Sequence, residues 1–184
     1  MKGTNPITKS KFLSLVLRHK PQTIGLTVDA NGWADTEELL QKLSTHKHSL
    51  SFEELKQLVA ANDKKRFAFS PDFSKIRANQ GHSLSVDLGL KVQTPPDVLY
   101  HGTAENNVDA ILKEGLIKGK RHHVHLSIDP HIAKAVGSRY GKPVVITINA
   151  KQMHADGHRF YKSENDVWLT DIVLPQYFLT LNNP

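Results

Sequence analysis

"KVQTPPDVLY", residues 91–100, divides this sequence. Pro95 and Pro96 lack the amide hydrogen and the φ freedom that helix interiors and central strands require. The texture changes on either side of them. Helical spacing dominates before the prolines, and short apolar runs alternate with helical stretches after them. At 184 residues the chain is long enough for two small domains, 1–93 and 94–184. No internal repeat or low-complexity tract interrupts either half.

Upstream, Phe12, Leu13, Val16 and Leu17 recur at helical spacing over residues 8–19. "GLTVDANGWAD" predicts a short strand and a turn at Asn31-Gly32. Asp35 or Thr36 can cap a helix bearing Leu39, Leu40 and Leu43. Ser51 and Glu54 fit a capping box ahead of Leu55, Leu58 and Val59. "RFAFS", a turn near Pro71-Asp72, and "KIRANQ" predict a β-hairpin. Three helices and a hairpin form a winged-helix pattern, a platform shared by many nucleic-acid binders. Downstream, "DVLYHGT" predicts a strand and "ENNVDAILKEG" an amphipathic helix closed by Gly115. "HHVHLS" predicts another strand, after which Asp129 caps and Pro130 opens a second helix. "PVVITINA", "HRFYKS", "DVWLTD" and "IVLPQYFLTL" supply further strands. Many short strands with two helices indicate a split, β-rich domain, so the whole reads as α+β.

Composition narrows the function classes. An apolar fraction of 39% with 23% charged residues excludes global disorder. No apolar run approaches the roughly twenty residues of a membrane span, and "MKGTNPITKSKF" lacks the apolar core of a signal peptide. Cysteine is absent, which removes disulfides, thiolate nucleophiles and sulfur-based zinc sites; a reducing cytoplasm is the expected location. Lys and Arg number 24 against 18 acids, with 11 His besides. That excess favours an anionic partner, nucleic acid first, through phosphate neutralisation.

Five stretches could carry chemistry. "LVLRHKP", residues 15–21, places Arg18, His19 and Lys20 at a helix end, where they complement the carbonyl dipole or form an anion site. "YHGTAENN", residues 100–107, offers His101 and Thr103 at an open strand end, with Gly102 permitting close approach to the backbone. Spacing alone favours the plainer reading there, a strand-end turn with Thr103 as helix cap. In "RHHVHLS", His123 and His125 share one strand face, opposite Val124 and Leu126. Zinc would need a third ligand and a supporting carboxylate, so a hydrogen-bonding wall is the better reading. "RANQGHS", residues 77–83, holds Asn79, Gln80, His82 and Ser83, which read as the exposed tip of a wing rather than core. Arg66 opens the preceding strand, and Arg139 in "GSRYGK" sits near a helix end.

Taken together and in order, "SKFLSLVLRHKP", "GW", "KKRF", "IRANQGHS", "YHGT", "HVHLS" and "GKPVV" resemble the RNA 2′-phosphotransferase family, also called KptA. The resemblance runs from about Ser10 to Phe178. It implies an N-terminal winged-helix RNA lobe and a C-terminal NAD-binding lobe of ADP-ribosyltransferase type. It also implies a reaction. An internal RNA 2′-phosphate, as left at a tRNA splice junction, displaces nicotinamide from NAD. The adjacent ribose hydroxyl then attacks phosphorus, leaving 2′-hydroxyl RNA and ADP-ribose 1″,2″-cyclic phosphate, with no metal. Residue by residue, the resemblance makes Arg18, His19, Arg66 and Arg139 the catalytic group. Arginine forks hold the phosphate, and His19 binds it or protonates the leaving oxygen. His101 is implied to contact the nicotinamide-side ribose and Gly102 the carboxamide, with Thr103, His125 and Ser127 lining the same NAD site. Lys20, Asn79, Gln80 and His82 are placed near RNA or the cleft. Many protein ADP-ribosyltransferases carry a glutamate on a later strand; "ENDVWLT" has Val167 there, which suits a phosphate acceptor. The expected partners are NAD and a tRNA-like RNA, with the chain a monomer. The rival readings are an ADP-ribosyltransferase acting on protein or terminal nucleic-acid phosphates, and an inactive nucleic-acid-binding regulator.

Overall fold

Helix α1, Pro6–Arg18, turns one apolar face inward through Leu13, Val16 and Leu17, all fully buried. It stops because His19 and Lys20 both send their N–H groups back to the Leu15 carbonyl, at 3.0 and 2.8 Å. Pro21 then opens a 3₁₀ turn, Pro21–Thr23, instead of extending the helix. The computed structural model describes residues 6–62 and 64–182. The chain divides into two units, Met1–Gly89 and Leu90–Pro184.

In the first unit, strand β1, Trp33–Asp35, leads into helix α2, Thr36–Thr45, and helix α3, Phe52–Ala60. Strands β2, Phe67–Phe69, and β3, Lys75–Ala78, form the expected hairpin, and β1 joins it in the antiparallel order β1-β3-β2. Both helix caps follow the sequence. Asp35 accepts the Glu38 N–H at 2.8 Å. Ser51 and Glu54 exchange the two bonds of a capping box, at 3.1 and 2.8 Å. Leu39, Leu43, Leu55, Phe67 and Ile76 complete the core around α1.

Two expectations fail in this unit. Residues 26–29 form no strand. The Asp29 carboxylate takes the N–H groups of Asn31 and Trp33, at 3.0 and 2.9 Å, and Gly32 turns the chain at φ +81°. An aspartate serving the backbone this way competes with ladder pairing, and only the segment after the turn becomes a strand. The polar run 79–83 is not the tip of the hairpin either. That tip is at residues 70–74, and Asn79 and His82 are 6% and 1% exposed. Strand β3 runs away from its turn, so the residues after it return toward the end of α1.

In the second unit, strand β4, Val98–Ala104, precedes helix α4, Val108–Glu114, and strand β5, Leu116–Ile117. Strand β6, Val124–Leu126, helix α5, Pro130–Gly137, strand β7, Pro143–Asn149, and helix α6, Ala150–Ala155, follow. Strands β8, Phe160–Lys162, β9, Trp168–Thr170, β10, Ile172–Val173, and β11, Phe178–Asn182, end the unit. One antiparallel sheet has the order β11-β7-β4 and another β6-β9-β8, while β5 pairs with β10. Tyr100 and Ser127 exchange backbone bonds of 2.8 Å that link β4 to the end of β6. Leu99, Leu126, Ile146, Ile148, Met153 and Phe160 fill the core. Helix α6 was not anticipated: Asn149 caps it by accepting the Gln152 N–H at 3.1 Å, just where the β7 pattern fades. Pro175 splits the last apolar run into β10, a 3₁₀ turn and β11.

Helix α5 lies directly on β4 because two side chains are missing. A Cβ on Gly102 would overlap the Ala133 carbonyl oxygen, and one on Gly137 would stand 2.5 Å from the Thr103 oxygen. Gly102 is therefore required by packing on this face, where the sequence suggested room for a ligand. Among the described residues, no helix is long and apolar enough to cross a membrane.

Candidate active site

In the first unit the cations gather at the end of α1. The Arg18 Nη2 donates to the Arg66 carbonyl at 3.3 Å, and its guanidinium carbon lies 5.9 Å from the Phe67 ring centroid. Arg66 in turn donates from Nη1 to the Asn62 Oδ1 at 3.1 Å. The same Asn62 oxygen accepts the Lys64 N–H at 3.2 Å, so one amide holds both the loop and the arginine it carries. The Lys65 backbone adopts φ +41°. Asn79 secures that turn: its Nδ2 donates to the Lys65 carbonyl at 2.7 Å and its N–H to the Arg66 carbonyl at 2.9 Å. Ser83 closes the cluster from the other side. Its N–H donates to the Arg18 carbonyl at 2.9 Å, and its Oγ lies 3.0 Å from the His19 Nδ1. "LRHKP", "KKRF" and "RANQGHS" thus meet in space. Within this group Arg18, His19 and Arg66 are half-buried, while Lys20 is exposed. His82 packs beneath the Gly32 turn, with its Nε2 3.5 Å from where a Cβ there would sit.

In the second unit two imidazoles are organised by backbone. The His101 Nδ1 lies 3.0 Å from the His125 carbonyl oxygen. A carbonyl can only accept, so Nδ1 carries the proton and Nε2 keeps a lone pair. Burial pushes His101 below its usual value, and the Arg121 charge adds to the effect against that hydrogen bond. Burial also pushes His125 down to about 3, again with Arg121 acting in the same sense and the His123 backbone opposing. Both rings are neutral at pH 7. His101, Thr103, Asn107, Ile111, Glu114 and Leu116 line a recess of about 220 Å³ between β4 and α4.

The remaining members of that group are placed as follows. Thr103 is a buried strand residue, not a cap; its Oγ1 accepts from the Asn107 Nδ2 at 3.3 Å, and Asn107 occupies the N-cap position of α4. The Ser127 hydroxyl donates to the Asp129 carbonyl at 3.0 Å and accepts the Asp129 N–H at 3.1 Å, shaping the start of α5. Because Tyr100 points its backbone groups toward Ser127, strand alternation puts the Gly102 N–H and C=O on the same edge of β4. Arg139 lies exposed in the turn after α5, its N–H on the Val136 carbonyl at 3.3 Å. Glu164 and Asp166 belong to the turn before β9, where Asp166 pairs with Lys162 at 2.7 Å. Among the described residues, no third ligand joins His123 and His125 in a metal-holding cluster. Sequence reasoning missed Asn62 and Arg121, and named Ser83 only as a residue of the wing tip. The four-residue spacing of Asn62 and Arg66 was a usable signal; nothing local marked the pairing of Ser83 with the end of α1.

Residues 4–172 match the family model for RNA 2′-phosphotransferase, Tpt1/KptA family. The chain belongs to this family. It is 55% identical over 175 residues to a probable RNA 2′-phosphotransferase of Hahella chejuensis, covering 95% of this chain and 94% of that protein. A protein of the same description from Acaryochloris marina is 55% identical over 170 residues, covering 92% and 94%. One from Trichormus variabilis is 48% identical over 182 residues, covering 99% and 100%. Membership identifies the chain as a transferase. The match takes in both the cation cluster of the first unit and the imidazole pair of the second.

Proposed function

We propose that this transferase removes an internal RNA 2′-phosphate, as at a tRNA splice junction, and consumes NAD as co-substrate without a metal. The observation that carries the reading is the gathering of Arg18, His19 and Arg66 at one helix end, braced by Asn62, Asn79 and Ser83. That is the chemistry a phosphate dianion calls for: planar forks that hold two oxygens, on supports that fix their aim. The RNA phosphate is itself the nucleophile, so the chain needs no serine, cysteine or carboxylate for attack.

Arg18, Arg66 and Arg139 hold the phosphate and take up the charge that builds on phosphorus in the second displacement. His19 passes a proton to the departing RNA 2′-oxygen. Asn79, being buried, acts by holding the cation loop, and the buried His82 supports the Gly32 turn, while Lys20 and Gln80 extend toward the RNA. The second unit suits NAD in its donors and acceptors. The neutral His101 Nε2 accepts from a ribose hydroxyl, and the Gly102 backbone edge offers one donor and one acceptor to a carboxamide. Thr103, His125 and Ser127 border the same site, two of them already engaged locally. NAD supplies a sugar carbon bearing a leaving group that is activated by its positive charge. Both displacements balance: nicotinamide leaves in the first, and the RNA 2′-hydroxyl in the second as ADP-ribose 1″,2″-cyclic phosphate forms.

The test is incubation of a defined oligoribonucleotide bearing one internal 2′-phosphate with the protein and NAD in EDTA, resolving all products. Formation of 2′-hydroxyl RNA with the cyclic phosphate is the expected result. Transfer of ADP-ribose to protein or to terminal phosphates alone, or NAD binding without turnover, overturns it.

A further inference from the structure

Tyr140 is 66% exposed, the greatest exposure among the large apolar side chains of the described surface. Exposed tyrosines are common, but this one stands on a hydrogen-bonded turn, directly after Arg139. Its N–H donates to the Gly137 carbonyl at 3.0 Å, and the Ser138 N–H and Oγ both reach the Lys134 carbonyl at 2.9 Å. Gly137 rests on the Thr103 backbone. On the far side of the turn, the Glu105 N–H donates to the Lys142 carbonyl at 2.9 Å, and the Lys142 Nζ meets the Glu105 carboxylate at 2.8 Å. The turn is tied to the end of β4 from both flanks. A ring on a backbone held this way adds only its own rotamer freedom to the cost of taking a partner.

We propose that Tyr140 is a stacking platform for the base of the nucleotide carrying the 2′-phosphate. The proposal rests on the reading of Arg139 as a phosphate ligand. Neighbouring Cα atoms lie about 3.8 Å apart, so an Arg139 guanidinium on the phosphate leaves the Tyr140 ring within reach of the same nucleotide. Stacking suits an enzyme that must accept RNA without reading its sequence, because every base has a π face. Phenylalanine would serve nearly as well, since the hydroxyl is not needed for stacking.

The test compares the wild-type protein with Tyr140→Ala and Tyr140→Phe on two oligoribonucleotides. One is intact; in the other the nucleotide bearing the 2′-phosphate lacks its base. Tyr140→Ala should raise KM for the intact RNA between about fivefold and 150-fold, with KM for NAD changed by less than about twofold. Tyr140→Phe should stay near wild type. Removing the base should penalise the wild type equally and Tyr140→Ala no further, because both changes delete one contact. Penalties that multiply, an indifferent Tyr140→Ala, or a rise in KM for NAD instead would overturn the platform. If the wild type fails to act on the intact RNA, or Arg139→Ala acts as well as wild type, the underlying reading falls with it. Melting temperatures of the variants separate a folding defect from a lost contact.

Discussion

Acidification from pH 7 to pH 5 should cost the second unit about 2 kcal/mol through His125 alone. The folded imidazole titrates at about 3, and the unfolded one near the ordinary value of about 6.5. Between those values the unfolded chain binds a proton that the folded chain refuses. Stability therefore rises with pH across that window: His125 costs nothing above about 6.5 and progressively more below it, at up to about 1.4 kcal/mol per pH unit. At pH 5 the unfolded ring is almost wholly protonated and the folded ring almost wholly neutral, which gives the stated figure. His101 moves in the same direction, so the total loss is larger. The assay is urea unfolding of wild type and His125→Gln at both pH values. Wild type should lose about 2 kcal/mol more than the variant on acidification. Asp29 and Asp72, whose carboxyls are held below their usual range by hydrogen bonds, contribute only at lower pH and cancel in the difference. Equal losses in the two proteins, or a His125 ring titrating near the ordinary value by NMR, would refute the burial argument.

Gly102→Ala should destabilise the second unit by about 3 kcal/mol, since its new methyl overlaps the Ala133 carbonyl; Gly119→Ala, where a Cβ meets nothing within 4 Å, should cost less in the same urea titration. Arg139→Ala and His19→Ala should accumulate RNA-2′-phospho-ADP-ribose in a radiolabelled time course, because the second step loses about a hundredfold or more when one electrostatic contact goes. Lysine at Arg139 should rescue poorly, lacking the fork; a uniform slowing with no intermediate would show that these residues serve binding or the first step. Turnover should be unchanged by EDTA, fall steeply with added salt, and differ little between oligonucleotides of unrelated sequence. Activity restored only by an added divalent ion would contradict the first of these expectations.

What the sequence disclosed was local. The caps at Asp35 and Ser51, the hairpin 67–78 and the strand–helix alternation of the second unit all depend on residues a few positions apart, where spacing is informative. Failures came where a neighbour distant in sequence decides the matter. Asn79 and His82 look like surface residues until the return of the chain toward α1 buries them. Gly102 looks like an opening until α5 fills it. The one local failure, the absent strand before Asn31, came from counting apolar residues and overlooking that Asp29 would take the backbone N–H groups itself. Of the candidate site, residue types such as arginine and histidine were legible. The groups that aim them, Asn62 and Ser83, were not, because an asparagine or serine carries no mark of what it will bind.

The contact of Ser83 with His19 spans 64 residues of chain. Closing a loop of that length costs roughly 4 kcal/mol in chain entropy before any constant term. A first unit with its helices formed but this closure open would still display Arg18 on a helix, without the assembled cluster. On the proposed reading, assembling the phosphate-holding cluster and closing this loop are one event. The Ser83 amide, held by the Arg18 carbonyl, is its natural reporter. Its hydrogen-exchange rate measures how often the cluster comes apart in the otherwise native protein. Slower exchange in the presence of RNA would register binding as closure, with no label attached to the chain.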